Sequence, residues 1–366
     1  MSGEYIQKQV YDGQINYFQV MDENGVVDQA LFPKDLADQK IIEMYKAMSY
    51  ARALDAKVLS LQRQGRAATY GPLVGEEATQ IGAALAMGDK DYFVPNFRQH
   101  GVYLARGFPV SGIILAWKGY EEGGIIPKDK HALAVSVPVA TQMPHATGLA
   151  FAQKYKNTGA AVVSFVGDGG TSEGDFYEAI NFAGEFKVPL VAIIENNQWA
   201  ISVPRSKQTA AQTLAQKAIA AGIPGMQVDG NDVVGVYKAV KDALLNAKAG
   251  PTVIECMTYR MSMHTTADDP TKYRPDSEVE AWKPKDPILR TRKYLVKKGL
   301  WDDKKEQAMA EEQLKMIDEG VEEAERFKAD PKTMFQHIYS FMTEILQQEL
   351  DAGLAAGFWL DAQKEE

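Results

Sequence analysis

The sequence predicts an α/β fold: a mostly parallel sheet with helices on both faces, followed by peripheral C-terminal helices. Two continuously apolar runs, AAVVSFV (160–166) and VPLVAIIE (188–195), lack the polar alternation of strands that face solvent on one side. Stretches with helical spacing of apolar residues separate such runs, as in βαβ units. Charged helical stretches dominate after about Arg274 and favour solvated helices at the periphery.

The first third of the chain is predicted to be mainly helical. Residues 1–33 mix strand-like pieces with turns, and we expect an arm that packs on another surface. Apolar residues spaced three or four apart predict a helix over 34–64. The next predicted elements are a helix over 75–88, a strand followed by a loop over 91–101, and a helix over 111–124.

The middle of the chain alternates strands and helices, which is the pattern of a parallel sheet. The predicted strands cover 131–138, 160–166, 188–195, 226–230 and 251–260. The predicted helices cover 140–155, 171–186, 213–222 and 233–250. We therefore expect three parts: an arm over 1–33, a sheet domain over 34–275 and a helical extension over 276–366.

Composition and charge exclude several classes of function. The 366 residues carry a formal net charge of −9, which argues against a general nucleic-acid binder and against binding to an anionic membrane surface. The single cysteine, Cys256, cannot form an internal disulfide and is expected to be buried. No secretory signal pattern opens the chain, and no apolar run reaches the ~18–20 residues of a membrane span. We expect a soluble, cytoplasmic protein without nucleic-acid or membrane partners.

Two polar motifs follow neighbouring apolar strands. Gly167-Asp168-Gly169-Gly170 ends one strand, and Asn196-Asn197 ends the next, about one βαβ unit of roughly 30 residues later. Right-handed crossovers place such strand ends at one edge of the sheet, so Asp168 and Asn197 are expected to converge. Their oxygens suit Mg²⁺ or Ca²⁺ shared with phosphates. The glycines, and a helix beginning near Thr171, would let an anion approach backbone N–H groups, so the pattern predicts a metal-bridged diphosphate site.

The GDGG motif has other interpretations. It could be a tight turn without a ligand. It could belong to a nicotinamide-dinucleotide fold with Glu195 as the ribose-binding acid. In that case the third glycine of the fingerprint would fall at Ser172, and Asn197 would have no role. A P-loop is excluded, because no Gly-Lys-Ser/Thr sequence follows at the required spacing.

The two motifs and their spacing resemble the thiamine diphosphate motif, and further blocks extend this resemblance. GRAATYGPLVGEEATQIG, PNFRQHGVYLARGFP, SVPVATQMPHATG and YRMSMHTTADDPTKYR resemble successive blocks of the α subunit of 2-oxo acid dehydrogenase E1 components, over about residues 30–300. The segment 206–232 looks most like bacterial pyruvate dehydrogenase E1α, whereas SVPVATQ and SMHTTADDP look closer to the branched-chain enzyme. The implied fold is the thiamine diphosphate-binding fold, with 34–275 as the diphosphate-binding domain.

The resemblance implies a set of residues around Mg²⁺ and the cofactor. The implied Mg²⁺ ligands are the Asp168 carboxylate, the Asn197 side-chain oxygen and the backbone carbonyl of Trp199. The implied cofactor-binding residues are Phe97, Arg98, Val137, Val139, Gly167, Asp168, Gly169, Gly170, Asn197 and His264. Phe97 replaces a tyrosine of the family, so any hydrogen bond from that hydroxyl is absent here.

Some of these positions also have simpler interpretations. Arg98 would bind phosphate through its forked guanidinium group, but it could instead form a surface salt bridge. Val137 and Val139, whose backbone would lie along the aminopyrimidine ring, could be buried strand valines. Thr141 is an equally good helix N-cap. The K⁺ site of branched-chain relatives is implied at Ser136, the Pro138 carbonyl, Thr141 and Gln142.

His264 is the candidate catalytic residue. It lies in the polar stretch RMSMHTTADDPTKYR and matches a family histidine near the diphosphate, where imidazole can donate to phosphate or transfer a proton near neutral pH. The simpler interpretation is an exposed loop histidine. Thr265 stands where animal relatives carry a phosphorylated serine, and no kinase is predicted. No role is assigned to His100, His131, His145 or His337.

The resemblance implies thiamine diphosphate- and Mg²⁺-dependent decarboxylation of a 2-oxo acid, with acyl transfer to the lipoyl group of an E2 acyltransferase. In this family a separate β chain supplies the glutamate for the aminopyrimidine ring, and Glu76 and Glu77 are not assigned that role. We therefore expect an α₂β₂ heterotetramer that is inactive as isolated α chains. Pyruvate is the expected substrate, with branched-chain 2-oxo acids or acetoin as alternatives. A non-catalytic scaffold subunit is a further hypothesis, against which the intact Asp168, Asn197 and His264 argue.

Overall fold

The computed structural model describes residues 13–330 and 332–357 of the 366-residue chain. Residues 1–12 of the predicted arm, and residues 331 and 358–366 of the predicted extension, lie outside the described residues. The described residues form an α/β structure around a six-stranded parallel sheet. The fold class predicted from the sequence is therefore confirmed.

The strands form one parallel sheet and one short hairpin. In chain order they are β1 (Tyr17–Phe18), β2 (Tyr92–Val94), β3 (Val162–Gly167), β4 (Leu190–Asn196), β5 (Trp199–Ala200), β6 (Val203–Pro204), β7 (Gly225–Asp229) and β8 (Thr252–Met257). The sheet has the order β1-β7-β8-β4-β3-β2, and all neighbours in it run parallel. The hairpin pairs β5 with β6 antiparallel. The two strands that carry the polar motifs, β3 and β4, are thus neighbours inside the sheet.

Helices cover both faces of this sheet. In chain order they are α1 (Asp38–Arg63), α2 (Glu77–Ala86), α3 (His100–Ala105), α4 (Val110–Trp117), α5 (Gln142–Lys156), α6 (Gly174–Glu185), α7 (Lys217–Ala220), α8 (Val233–Asn246), α9 (Asp276–Trp282), α10 (Pro287–Lys297), α11 (Asp303–Arg326), α12 (Thr333–Gln336) and α13 (Glu344–Ala355). No helix within these described ranges combines the length and the apolar character that crossing a membrane requires.

Successive residues of β4 are buried on opposite faces of the sheet, which explains its uninterrupted apolar sequence. Val191 and Ile193 pack with residues of α2, α3 and α8 on one face. Ala192 and Ile194 pack with residues of α5 and α6 on the other. Full burial of a side chain of this kind stabilises the fold by roughly 1.5–3 kcal/mol, so both faces favour apolar residues.

The prediction of a strand over 131–138 is wrong. Only Ala132 makes an isolated bridge, to Phe93 of the edge strand β2. Val135 and Val137 beyond it are exposed. A strand needs a partner whose backbone and side chains it can pair with, and the local apolar pattern does not contain that information.

Other differences concern where elements begin and end. The helix predicted over 111–124 ends at Trp117, and Gly119 follows it with a φ of 88°, a left-handed conformation that commonly terminates helices. The helix predicted over 213–222 is reduced to α7, and a short helix, α3, falls where a loop is predicted. Tyr17–Phe18 of the predicted arm pairs with β7 as the edge strand of the chain's own sheet.

A buried polar cluster at the end of β7 connects both terminal regions of the described chain to the sheet. We call Asp229, Asp232 and Arg290 the anchoring cluster. Asp232 Oδ2 accepts hydrogen bonds from the backbone N–H groups of Val20 and Met21 at 2.7 and 2.8 Å. Arg290 Nη1 lies 2.7 Å from Asp229 Oδ2 and 2.9 Å from the Met21 carbonyl oxygen. The division of the chain into three domains stays a prediction.

Candidate functional site

The GDGG and NN motifs meet at the C-terminal edge of the sheet. β3 and β4 are parallel neighbours, with Gly167 opposite Glu195. The backbone N–H groups of Asp168 and Asn197 both donate to the Glu195 carbonyl oxygen, at 3.3 and 3.0 Å. Because Asp168 and Asn197 both bind the Glu195 carbonyl oxygen, their backbones lie side by side, and their side chains begin close together at this edge.

Asp168 is a carboxylate buried against an amide. The residue is 2% exposed, and Gln208 Nε2 donates to its Oδ2 at 2.7 Å. Burial raises the pKa of Asp168 to about 6, and the hydrogen bond from Gln208 opposes that rise. A carboxylate in this position is costly to ionise, and a bound metal ion would relieve that cost.

Asn197 is held so that its amide nitrogen and its amide oxygen face different partners. Nδ2 donates to Glu76 Oε1 at 2.9 Å, and the backbone N–H of Trp199 donates to Oδ1 at 3.2 Å. Burial raises the pKa of Glu76 to about 7, while the charges of Arg98 and Arg260 lower it. Oδ1 is therefore the end of the amide that can bind a cation.

The hairpin of β5 and β6 carries the third predicted metal ligand, the backbone carbonyl of Trp199. Arg260 holds this hairpin, since its Nη1 donates to the Trp199 carbonyl at 3.0 Å and its Nη2 to the Ile201 carbonyl at 2.7 Å. Ile201 has a φ of 55°, which branched residues rarely adopt, and such strain persists only where surrounding contacts impose it. A carbonyl oxygen has two lone pairs, so the bond from Arg260 leaves one for a metal ion.

Packing within the protein already accounts for two glycines of the GDGG motif. A Cβ atom at Gly169 would lie 2.6 Å from the Cβ of Ala200, and one at Gly170 would lie 2.6 Å from Cγ2 of Val166. A 3₁₀ turn, Gly169–Ser172, follows β3, and α6 therefore begins later than predicted. Small residues bring this turn close to the hairpin, and contact of these glycines with phosphate stays a prediction.

Phe97 and Arg98 follow β2 and lie against His264. Arg98 is buried, so the interpretation as a surface salt bridge is wrong. Its Nη1 donates to the Pro72 carbonyl at 2.6 Å and its Nη2 to the His264 carbonyl at 3.0 Å. The guanidinium carbon lies 5.1 Å from the centre of the Phe97 ring, which packs edge-on against the His264 ring. The fold thus brings these three candidate residues together.

His264 lies between two arginines. Arg98 Nη2 is 3.1 Å and Arg260 Nη1 is 3.2 Å from its Nδ1. Guanidinium groups only donate, so Nδ1 accepts and the proton of the neutral ring is on Nε2. Partial burial, together with the charges of Arg98 and Arg260, lowers the pKa of His264 to about 4. His264 is therefore a neutral hydrogen-bond donor near pH 7, and its interpretation as a merely exposed loop histidine is wrong.

The two candidate valines are exposed instead of buried in a strand. Val137 is 78% exposed and Val139 is 54% exposed, so the interpretation as buried strand valines is wrong. A Cβ atom at Gly170 would lie 3.4 Å from Val139 Cγ1, which places this segment beside the GDGG turn.

The residues implied for K⁺ lie at the start of α5. Thr141 N–H donates to the Pro138 carbonyl at 3.3 Å, and Ser136 is half-buried nearby in the chain. Thr141 occupies the N-cap position of α5, as the N-cap interpretation predicts, but its hydroxyl contacts Asp175 Oδ2 at 3.4 Å and caps no N–H of this helix. Gln142 Nε2 donates to a backbone carbonyl at 2.9 Å, and its buried Oε1 has no hydrogen-bond partner among residues 13–330 and 332–357.

Sequence reasoning missed three residues that hold the candidate ligands. Glu76 contacts Asn197, Gln208 contacts Asp168, and Arg260 contacts the Trp199 carbonyl. A signal existed for Glu76, because an acid opening an otherwise apolar helix is expensive to bury without a partner. Nothing local marks Gln208, which reaches the site from a distant loop.

The residues at this edge fit a divalent cation shared with phosphate groups. Asp168, Asn197 and the Trp199 carbonyl offer carboxylate, amide and backbone oxygens, the hard ligands that Mg²⁺ prefers. Arg98 supplies buried positive charge beside them. In the part of the chain that the structure describes, no group of three or more His, Cys, Asp or Glu side chains could hold a metal ion.

Comparison with known proteins identifies the family. Residues 45–332 match the family described as Dehydrogenase E1 component. A protein named "Pyruvate dehydrogenase E1 component subunit alpha" from Staphylococcus aureus is 43% identical over 351 residues, which cover 95% of this chain and 93% of that protein. A protein of the same name from Staphylococcus epidermidis is 42% identical with the same coverage. The chain belongs to the dehydrogenase E1 component family.

Proposed function

We propose that the chain is the α subunit of the E1 component of a pyruvate dehydrogenase complex, active together with a separate β subunit. The observation that carries this proposal is the meeting of Asp168 and Asn197 at the Glu195 carbonyl, in a chain 43% identical to a protein of that name. Membership of the family argues against the dinucleotide alternative. The buried contacts that hold Asp168, Asn197 and His264 argue against a scaffold that has lost its chemistry.

In this function the site binds thiamine diphosphate and Mg²⁺. Asp168, Asn197 and the Trp199 carbonyl would hold the metal ion, and Arg98 would face the diphosphate. When bound, thiamine diphosphate supplies the electron sink that allows a 2-oxo acid to lose CO₂. The chain's own residues supply position and charge.

His264 would act as a neutral hydrogen-bond donor. Its Nδ1 accepts hydrogen bonds from Arg98 and Arg260. The Nε2–H group is therefore the one that can donate to a phosphate or substrate oxygen. A pKa of about 4 makes an imidazolium acid scarce near pH 7. We therefore propose that His264 holds an oxygen atom in place and is not a cationic proton donor.

A β subunit and an E2 acyltransferase complete the proposal. Val137 and Val139 are exposed apolar side chains, and Val139 lies beside the GDGG turn, where a partner chain and the cofactor would cover it. We propose an α₂β₂ heterotetramer that passes its acyl group to the lipoyl group of E2. Gln142 Oε1 finds no hydrogen-bond partner in the part of the chain that the structure describes, which supports a K⁺ ion at the start of α5. The cytoplasmic location stays a prediction.

Reconstitution from purified α and β chains tests this function. Turnover of pyruvate, 3-methyl-2-oxobutanoate and acetoin is measured with an artificial electron acceptor, in the presence of thiamine diphosphate and Mg²⁺. We expect the highest kcat/KM with pyruvate, loss of turnover on chelation of Mg²⁺, and no turnover by α alone. A higher kcat/KM with 3-methyl-2-oxobutanoate or with acetoin would favour the branched-chain or the acetoin alternative. Decarboxylation by the isolated α chain would contradict the proposal that activity requires the heterotetramer.

A further inference from the structure

Glu76 lies between the candidate metal site and the candidate phosphate-binding arginine. It immediately precedes α2, and its side chain is 1% exposed. Its Oε1 accepts the hydrogen bond of Asn197 Nδ2 at 2.9 Å and lies 3.7 Å from Arg98 Nε. One carboxylate oxygen thus contacts both a candidate metal ligand and a candidate phosphate ligand.

Backbone contacts fix the position of Glu76. Its N–H donates to the Leu73 carbonyl at 2.8 Å, and its carbonyl accepts the N–H of Gln80 at 3.3 Å. The Gln80 side chain in turn donates to the Arg98 carbonyl at 3.0 Å. The first turn of α2 therefore holds both the carboxylate and the backbone of its arginine partner.

Asn197 needs such a partner because its amide group can turn over. A turned amide would present an NH₂ group in place of the oxygen, and NH₂ is a donor that cannot bind a cation. Glu76 opposes this rotation, since the amide oxygen would then face a carboxylate oxygen. The bond from Trp199 N–H to Oδ1, at 3.2 Å, acts in the same direction.

Arg98 needs a counter-charge because a second arginine shares its histidine partner. Arg98 and Arg260 both donate to Nδ1 of His264. Their guanidinium groups therefore lie close to each other in a buried region, where like charges repel strongly. Glu76 is the carboxylate that pairs with Arg98 at this point.

We propose that Glu76 is a positioning residue that aims the Asn197 oxygen at a divalent metal ion and couples this ligand to Arg98. The inference rests on the proposed function, because it concerns how the chain's own residues receive Mg²⁺ and a diphosphate. Replacing Glu76 lowers the affinities for metal and for thiamine diphosphate together, since a coupling between two sites is reciprocal. Partners that orient metal ligands typically change metal affinity by ~10–100-fold.

Manganese binding to the reconstituted α₂β₂ protein tests this proposal without relying on turnover. Free Mn²⁺ is measured by electron paramagnetic resonance at saturating thiamine diphosphate, for wild type, Glu76→Gln, Asn197→Asp and the double variant. We expect ~10–100-fold weaker binding for Glu76→Gln. Asn197→Asp sets two carboxylates against each other, whereas the double variant restores a hydrogen bond with the donor now on residue 76. The double variant should therefore bind Mn²⁺ more tightly than Asn197→Asp alone.

Glu77→Gln is the matched control. Glu77 is a buried neighbour that pairs with Arg52 at 2.6 Å, so its variant should lower stability and leave Mn²⁺ affinity unchanged. Glu76→Asp, one methylene shorter, replaces Glu76→Gln if that variant does not assemble, with the same expected loss. Wild-type affinity in the Glu76 variants, or no recovery in the double variant, would overturn the proposal. If the wild-type heteromer itself binds neither Mn²⁺ nor thiamine diphosphate, the proposed function fails and this inference fails with it.

Discussion

Two buried polar clusters lie at the C-terminal edge of one sheet and differ in how their charges are matched. In the anchoring cluster, Asp232 accepts three backbone N–H groups, and Asp229 pairs with Arg290 at 2.7 Å. The second group, which we call the site cluster, consists of Glu76, Arg98, Asp168, Asn197, Arg260 and His264. There Asp168 faces an amide, while two arginines donate to one imidazole nitrogen.

The comparison shows that burial alone does not mark a functional site. Burial raises the pKa of Asp168 and of Asp232 alike to about 6. The difference lies in the partners, because the anchoring carboxylates are met by backbone donors and a cation. Asp168 is a carboxylate met by an amide, and the nearby Arg260 donates to carbonyl oxygens and to an imidazole, which is an arrangement suited to a ligand that carries charges of both signs.

The largest expected effect is the loss of activity in Asp168→Asn. The change removes a proposed metal ligand worth several kcal/mol, so we expect kcat/KM of the heteromer to fall on the order of 10³-fold. The free energy of unfolding of the α chain without cofactor should stay the same or rise, because a costly buried charge is removed. Steady-state kinetics and urea unfolding measure the two quantities. A strongly destabilised α chain would show that Asp168 is another anchoring residue.

Asp232→Ala should lower the free energy of unfolding and leave activity unchanged, which is the opposite of the result expected for Asp168→Asn. Three backbone N–H groups lose their acceptor at a cost of about 1–3 kcal/mol each, so the free energy of unfolding should fall by several kcal/mol. Activity per folded molecule should be retained, since Asp232 contacts no member of the site cluster that we describe. Urea unfolding is compared with Asp242→Ala, whose exposed pair with Lys238 should contribute below ~1 kcal/mol. Equal stability of the two variants would contradict the anchoring role.

The pKa values of two histidines predict how the free energy of unfolding depends on pH. Burial lowers the pKa of His100 to about 3, and the pKa of His264 is about 4, both below the unfolded value of 6.5. The unfolded chain therefore binds more protons between these limits, so the stabilising contribution is complete above pH ~6.5 and is lost as pH falls towards 4. The buried carboxylates of Asp168 and Asp232, whose pKa values are raised to about 6, act in the opposite direction, so the histidine contribution is measured as a difference between variants. As the pH falls from 6.5 to 4, the urea midpoint of the wild type should decrease relative to that of His100→Gln.

Kinetics separate His264 from His100 in the same pH range. Because His264 is already neutral, kcat/KM should show no titration of this residue near pH 6–7. A step in that region that disappears in His264→Asn would contradict the assigned neutral state.

The smallest expected effect concerns Gln142, whose buried Oε1 has no hydrogen-bond partner within the described ranges. If K⁺ binds there, replacing Na⁺ by K⁺ should raise the melting temperature by a few degrees, because a ligand that binds only the folded state stabilises it by mass action. Gln142→Leu should abolish the difference between the two ions. Equal melting temperatures of the wild type in both salts would remove the K⁺ site from the proposal.

Some of the site could be predicted from the sequence because its information is local. Asp168 and Asn197 each follow a buried strand directly, and the handedness of one crossover brings their strand ends to one edge. The strand predicted over 131–138 failed because pairing depends on a distant partner. Gln208 was missed for the same reason, since its contact with Asp168 joins residues 40 positions apart.

The amino-acid sequence by itself determined the parallel sheet, the order of its central elements and the two candidate oxygen ligands at its edge. Apolar periodicity and chain-local handedness suffice for those features, because each acts within about 30 residues. Only the tertiary structure decided which buried charges lie in the anchoring cluster and which lie in the candidate site. That distinction depends on which partner each charged group meets across the chain, and these contacts exist only after the distant segments have packed together.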